Sequence, residues 1–558
     1  MLIPFRLVVG LGLVAVLAAA PPPASAQTAP PTLLVLLSVD QMRGDYVERY
    51  GHQWTGGLKR LVDEGARFPL ASFPYQNTVT CAGHATMSTG VFPATHGMVL
   101  NAWWDRASGQ QISCTHDPGV TNIGYGGAAS GGDSPHRLLA ATFADELRTQ
   151  LPVTPRIVSL SMKARSAIAM AGRRADAVVW FADGRWTTSS YYTREPVSFV
   201  ARFIEANPVE RDYGSAWTKR LPEAAYLFDE APVGERGTRA WGPTFPHALA
   251  SPSGQADADF YASWSTSPQA DAYLARLGIA SVEALGMGRG PGVDFLALSF
   301  SVLDTVGHAY GPRSHEVQDV LARLDHTLAG FFADLDRLVG RDRYVVALTG
   351  DHGVAPVPEQ MEAAGMDAGR VPAKEYAARL QAVLERHFGP GTHLASLTYT
   401  DVYFAAGIYD RLLAAPQAMR EVIAEIEATP GIHRVLRSDD LAVGRLPDDP
   451  LARSASLSYH RNRSGDLIVI PRPFWLNSTA VSTHGTGYKY DTRVPVILMG
   501  PGIRAGVSLA PATPADIPPT FAYLAGITMA RTDGRVLTDA LFAQGAPEAL
   551  PQKTASPQ

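Results

Sequence analysis

Six residues in this chain have the donor types of a divalent-metal site: Asp40, Asp304, His308, Asp351, His352 and His484. Each follows a short apolar run. Leu33–Val39 precedes Asp40, and Phe295–Phe300 precedes Asp304 and His308. Tyr344–Leu348 precedes Asp351 and His352, and Ala480–Thr483 precedes His484. Three carboxylates and three imidazoles are about what two zinc-type ions need. Three imidazoles also favour zinc over magnesium or calcium. Asp304 and His308, four residues apart, face the same way on one helical turn and could grip one ion. Asp351 and His352 lie within Thr349-Gly-Asp-His-Gly353, where glycine permits a sharp loop. Taken singly, each would more often be a cap, a turn residue or a surface histidine. Only their shared placement at the ends of apolar runs points to metal.

A hydrolytic site also needs an attacking group. Gln76-Asn-Thr-Val-Thr80-Cys-Ala-Gly-His84 leads from a loop into a helix expected from about Thr80. A hydroxyl at a helix N-terminus sits in positive potential. Next to zinc it can lose its proton near neutral pH, as metal-bound water does. A plain N-cap is the other role such a threonine could have. Two further motifs point away from other chemistries. Gly286-Met-Gly-Arg-Gly-Pro-Gly292 lacks the Lys-Ser/Thr of a phosphate loop and precedes a strand, so it reads as a turn. A Gly-x-Ser-x-Gly elbow, which would indicate a serine hydrolase, is missing.

These residues must be carried by elements that converge. Thr32–Val39 is a continuous Leu- and Val-rich run, as expected of a strand covered on both faces. Arg156–Leu160, Asp294–Phe300, Tyr344–Leu348 and Val494–Met499 read as further strands. Leu58–Glu64, Leu138–Leu147, Val317–Leu338 and Ala515–Ala525 read as helices. Alternating strands and helices predict an α/β fold with a mostly parallel central sheet and helices on both faces. In such a fold, loops at the carboxyl ends of the strands meet in one crevice. Two stretches break the rhythm: roughly 185–290, rich in Trp, Pro, Gly and Ser, and roughly 370–480, with a small α+β pattern. Both read as cap segments inserted into one catalytic domain spanning 27–558. The Gly-rich stretch 124–132 and the tail after Gly545 read as mobile loops.

Composition excludes several classes. The 558 residues are 46% hydrophobic and 18% charged, which is ordinary for a globular protein. The net charge of −5 leaves no basic footprint for nucleic acid. Arg6, the apolar stretch Leu7–Ala20 and Ala24-Ser25-Ala26 predict a signal peptide over 1–26, cleaved before Gln27. The expected location is periplasmic or secreted, with no membrane span in the mature chain. Cys81 and Cys114 are the two cysteines. In an exported protein they could form a disulfide or remain buried thiols.

In type, order and spacing, Asp40, Thr80, Asp304-x-x-x-His308, Asp351-His352 and His484 resemble the alkaline phosphatase superfamily. Thr80-Cys-Ala-Gly-His84 is similar to the threonine nucleophile motif of its phosphodiesterase and PafA-type branches. Asp304-Thr-Val-Gly-His308, Gly350-Asp-His-Gly353 and Thr483-His-Gly485 resemble its metal motifs. Asp516-Ile-Pro-Pro-Thr-Phe-Ala-Tyr-Leu-Ala-Gly526 resembles its C-terminal helix. The match runs over about residues 32–530. Within the superfamily the chain resembles the PafA/PhoK-type, phosphate-irrepressible alkaline phosphatases. That branch has a phosphate-binding asparagine where this chain has Asn101 and a Lys-x-Arg pair where it has Lys163 and Arg165. The same spacing selects Thr80 over Thr78.

The resemblance implies two Zn²⁺ ions. Asp304, His308 and His484 would hold one. Asp40, Asp351 and His352 would hold the other, with Thr80 as its reactive ligand. The sequence also leaves room for an additional structural Ca²⁺. The resemblance also implies a phosphomonoesterase acting on small phosphate esters through a phosphothreonine. A monoester dianion has three nonbridging oxygens, which two metals, Asn101, Lys163 and Arg165 could cover. A diester has one charge fewer, so the Lys-Arg pair favours monoesters. The alternatives are a phosphodiesterase or nucleotide pyrophosphatase on the same scaffold, or a noncatalytic metal- or phosphate-binding protein of the envelope. A sulfatase is not indicated, because Cys81 opens Cys-Ala-Gly-His-Ala and not Cys-x-Pro-x-Arg.

Overall fold

Leu33–Val39 (β1) is buried along its whole length. Its side chains alternate between two cores. Leu33, Val35, Leu37 and Val39 face one, and Leu34 and Leu36 face the other. Each such side chain contributes roughly 1.5–3 kcal/mol of burial, so this strand is stable only between two layers of helices. In the computed structural model, residues 30–443 and 449–542 are described. The signal peptide expected over 1–26 and the tail after Gly545 lie outside them. No helix among the described residues is long and apolar enough to cross a membrane.

Beyond β1, the elements that position the site are, in chain order, α1 (Thr80–Thr89), β2 (Ile157–Ser161), α2 (Ala164–Ala171), β3 (Asp294–Phe300), α3 (Val302–Tyr310), α4 (His315–Leu338), β4 (Tyr344–Thr349) and β5 (Val496–Met499). The main sheet runs β5, β4, β1, β3, β2, then Ala177–Ala182. From β4 through Ala177–Ala182 every pairing is parallel, as the alternating pattern predicts. Antiparallel pairings occur only outside this block, beginning with β5. One face packs on α4 and the helix Pro268–Leu285; the other packs on Phe143, Leu147, Ile517 and Phe521.

Register aligns the carboxyl ends. Val39 pairs with Phe300, Ser38 with Thr349, and Ser299 with Ser161. Four parallel strands therefore end within about one residue of each other, and the segments carrying Asp40, Lys163, Asp304 and Asp351 leave from the same end of the sheet.

The structure differs from the sequence reading at several elements. The helix expected over Leu138–Leu147 is Phe143–Gln150, because Thr142 and Asp145 form a capping box that fixes its start. The late helix begins with a 3₁₀ turn at Pro514–Asp516 and continues as Ile517–Ala525. The Gly-rich stretch 124–132 is not simply a loop: Asn122–Gly124 and Gly127–Ala128 form a hairpin at the sheet edge. Ala480–Thr483 forms no strand, so His484 arrives on a loop.

The 370–480 stretch has its own hydrophobic core around Tyr376, Leu380, Val402, Val422 and Leu467. Its four-stranded sheet runs Leu394–Thr398, Asp401–Phe404, Leu467–Pro471, Ile432–Arg437. In contrast, Trp217, Trp241, Phe260 and Trp264 of the 185–290 stretch pack into the main core.

Candidate active site

Thr80 is the first residue of α1 and is buried. Its Oγ1 lies 3.4 Å from His352 Nε2. Thr78 is buried too, but its hydroxyl donates to the Thr486 carbonyl at 2.8 Å and is committed there. Close approach of α1 to the Asp351 loop requires Gly83: a Cβ at that position would lie 2.1 Å from the Asp351 carbonyl oxygen. His84 extends the contact. Its Nδ1 donates to the Thr80 carbonyl at 2.9 Å and lies 3.2 Å from Asp351 Oδ2, while its Nε2 meets Ser299 Oγ at 2.9 Å. It thus ties the start of α1 to β3 and to Asp351, the orienting role its sequence position suggests.

The three candidate metal-binding imidazoles are oriented alike. His308 Nδ1 donates to the Ser482 carbonyl at 2.8 Å, His352 Nδ1 to Gly353 at 2.9 Å, and His484 Nδ1 to Thr78 at 2.8 Å. A carbonyl can only accept, so each ring carries its proton on Nδ1 and turns the Nε2 lone pair inward. The rings of His352 and His484 stack at 3.5 Å. Burial, followed by the neighbouring His352 and His308, holds His484 well below the usual imidazole range. Burial also lowers His352. His308 goes the other way: burial would lower it, but Asp304 overrides burial and raises it.

Two groups of donor atoms could each hold an ion. One is Asp304, His308 and His484. The other is Asp40, Asp304 and His352. Asp304 thus sits between the two groups. Asp351 does not fall within the second. Its Oδ1 accepts from the backbone N–H of Gln41 and of His352, both at 3.1 Å, and its Oδ2 lies 3.3 Å from His352 Nε2. Asp40 Oδ1 and Asp351 Oδ2 are buried without a hydrogen-bond partner. Buried carboxylate oxygens of that kind need a cation or a donor. The donor set therefore fits a metal cofactor.

Lys163 supplies positive charge at the same point. Its Nζ lies 2.6 Å from Asp40 Oδ2 and 2.5 Å from Asp304 Oδ2. Burial would raise Asp304, but Lys163 and then His308 hold it well below the carboxylate range. Burial, Asp304 and Asp351 push Asp40 up. Two buried carboxylates thus share one ammonium. Arg165 is the second residue of α2, and its Nε is buried without a partner.

Asn101 is placed by α1. The Cys81 backbone N–H donates to Asn101 Oδ1 at 2.8 Å, which turns the amide NH₂ outward. Cys81 and Cys114 are joined in a disulfide, with Cα atoms 6.7 Å apart. The Cys114 N–H donates to the Asn101 carbonyl at 2.9 Å. The hairpin that follows Asn101 is thereby clipped to the helix that carries Thr80.

Two residues at the site escaped the sequence reading. Gln41 follows Asp40 with φ +68° and donates from Nε2 to Asp304 Oδ1 at 2.7 Å. The signal was Gly307, where a Cβ would lie 1.7 Å from Gln41 Oε1. Tyr399, from the 370–480 stretch, meets Asn101 Nδ2 through its hydroxyl at 3.4 Å. Its sequence neighbourhood gives no hint of this.

Residues 34–490 match the family model for type I phosphodiesterase / nucleotide pyrophosphatase. The chain belongs to this family. It is therefore a hydrolase of the alkaline phosphatase superfamily that uses a metal cofactor. It is 32% identical over 507 residues to alkaline phosphatase PafA of Elizabethkingia meningoseptica, covering 88% of this chain and 91% of that one. The crystal structure of wild-type PafA superposes with TM-score 0.84 at 31% identity, over 92% of this chain and 99% of that one. A PafA variant with a threonine, an asparagine, a lysine and an arginine replaced also superposes at 0.84, at 30% identity and with the same coverage. The expected superfamily and fold are borne out.

Proposed function

We propose that the protein is a phosphomonoesterase, an alkaline phosphatase acting on small phosphate esters through a phosphothreonine on Thr80, with two zinc ions. The observation that carries this reading is Lys163 Nζ on Asp40 and Asp304, with Asn101 held by the backbone N–H of Cys81, the neighbour of Thr80. The four residues replaced together in the PafA variant have the types and separations of Thr80, Asn101, Lys163 and Arg165, which supports the same roles here.

Asp304, His308 and His484 would hold one ion, and Asp40 and His352 the other, with Asp351 beside them. Zinc held there would lower the pKa of a nearby hydroxyl and offset negative charge on the phosphate. Thr80 Oγ1 attacks phosphorus in line, and the ester oxygen leaves. Water then hydrolyses the phosphothreonine and regenerates Thr80. Lys163, Arg165 and the Asn101 amide bind the nonbridging oxygens. A monoester presents enough of these to use all three donors; a diester does not. His84 keeps the start of α1 against Asp351 through both steps. Export through the signal peptide read at 1–26 would place this activity in the periplasm or outside the cell.

The test is turnover of p-nitrophenyl phosphate against its bis ester, before and after chelation, with metal analysis. The proposal expects about two zinc per chain and a strong monoester preference that chelation removes. A preference for the bis ester would favour the phosphodiesterase reading, and absence of turnover in zinc-loaded protein the noncatalytic one.

A further inference from the structure

The 370–480 stretch brings one side chain to the active site, and it does so through an unusual turn. Leu394–Thr398 and Asp401–Phe404 pair antiparallel with Thr398 opposite Asp401, so the connecting turn has two residues, Tyr399 and Thr400. Turns this tight are normally built from glycine or asparagine, because positive φ is needed. Here tyrosine takes it, at φ +54°. A bulky side chain in the left-handed region is strained, and such strain persists only where the surroundings impose it. Asn477 Nδ2 donates to the Tyr399 carbonyl at 2.7 Å, and the Val469 N–H donates to the Thr400 carbonyl at 2.8 Å. Both turn carbonyls are pinned.

The phenol does not repay this strain by packing. Tyr399 is 39% exposed and is not part of the hydrophobic core beneath it. Its one side-chain hydrogen bond is with Asn101 Nδ2.

The two bodies that meet there are held firmly. Arg463 Nη1 donates to the carbonyls of Gly97 and Arg137, both at 2.6 Å, and its guanidinium lies 5.2 Å over Trp103. Arg106 lies 5.2 Å over Tyr403 and donates to Asp466 at 2.9 Å. Asn101 is therefore gripped from both sides: Cys81 N–H fixes its oxygen, and Tyr399 meets its nitrogen.

We propose that Tyr399 is a positioning residue for Asn101, fixing the plane of its amide so that the second N–H of Nδ2 faces a phosphoryl oxygen. An amide NH₂ has two donors. One goes to the Tyr399 hydroxyl, and the other is left for the ligand. The inference rests on the reading of Asn101 as a phosphate donor.

The experiment uses zinc-loaded protein carrying Tyr399→Phe, Tyr399→Gly, Asn101→Ala, and Tyr399→Phe combined with Asn101→Ala. Calorimetry measures inorganic phosphate affinity, and p-nitrophenyl phosphate gives kcat/KM. Tyr399→Phe should weaken phosphate binding and lower kcat/KM by about 3- to 10-fold, the worth of one hydrogen bond. That loss should vanish on the Asn101→Ala background. Tyr399→Gly should show the same loss without a lower Tm, since glycine adopts this φ freely. Unchanged phosphate affinity in Tyr399→Phe, an equal loss on both backgrounds, or a Tyr399→Gly loss that tracks a lower Tm would each overturn the assignment. If the wild type prefers diesters, the monoesterase reading fails while coupling in phosphate affinity still decides the role of Tyr399.

Discussion

Asp40, Asp304 and Asp351 beside His308, His352 and His484 can be set against Glu235 and Glu316 beside His247. Each contains a buried carboxylate in contact with imidazole, and both touch α3: it carries Asp304 and His308, and its last residue, Tyr310, packs on His247. In the second cluster His247 Nε2 is bonded to Glu316 Oε1 at 2.9 Å, within a wall of Trp217, Trp241 and Phe245. Burial, and then the charge of Glu316, pushes Glu235 up to about 9. That cluster relieves its charge by keeping a proton. The first gathers positive charge: Lys163 bridges two of its carboxylates, and three Nε2 lone pairs stay free because each Nδ1 is tied to the backbone. Residue type alone does not make a site. Uncommitted donor atoms converging beside a nucleophile do.

The largest effect that would test this contrast is at Thr80, the proposed nucleophile. Thr80→Ala should lower monoester turnover by roughly 10³-fold or more with little change in Tm, read by steady-state kinetics and calorimetry. Normal turnover by that variant would leave the first cluster no more catalytic than the second. Next is Asp304→Asn, which alters both donor groups. It should cost about 10²-fold in activity and reduce bound zinc, measured by metal analysis. Lys163→Ala and Arg165→Ala should each cost roughly 10- to 100-fold on monoesters, the worth of a charge-assisted hydrogen bond, and less on diesters. Equal losses on both substrates would remove the basis for calling the enzyme a monoesterase.

The smallest effect is expected in the other cluster. Glu235 has a folded-state value of about 9 against an ordinary 4.5, so the folded protein holds a proton that the unfolded chain releases between those values. Its contribution to stability therefore falls as pH rises through that window. Glu235→Gln should remove this slope, raising Tm relative to the parent near the upper end of the window and leaving turnover within about 2-fold. A large loss of activity in Glu235→Gln would mean that the two clusters act as one site.

Much of this was legible in the sequence because it is local. Apolar runs such as Leu33–Val39 identify buried strands, and Asp304 and His308 share a helical turn. The spacing of Thr80, Asn101, Lys163 and Arg165 resembles a family. What was not legible depends on register and on docking between distant segments. The sequence alone puts Asp351 in the second donor group; the structure adds that Asp304 also joins Asp40 and His352, while Asp351 Oδ2 lies 3.3 Å from His352 Nε2. His484 was expected after a strand, but its ring is aimed by the carbonyl of Thr78, 406 residues away. Tyr399 occupies a two-residue turn without glycine or asparagine, so no turn signal marks it.

The central claim is that Thr80 carries the phosphoryl group. Acid quench of zinc-loaded protein during turnover of p-nitrophenyl phosphate, followed by peptide mass spectrometry, tests it directly. The account predicts phosphate on the peptide containing Thr80, localised to that hydroxyl and absent in Thr80→Ala. Phosphate on another residue, or an unmodified Thr80 peptide during turnover slow enough to accumulate the intermediate, would contradict it.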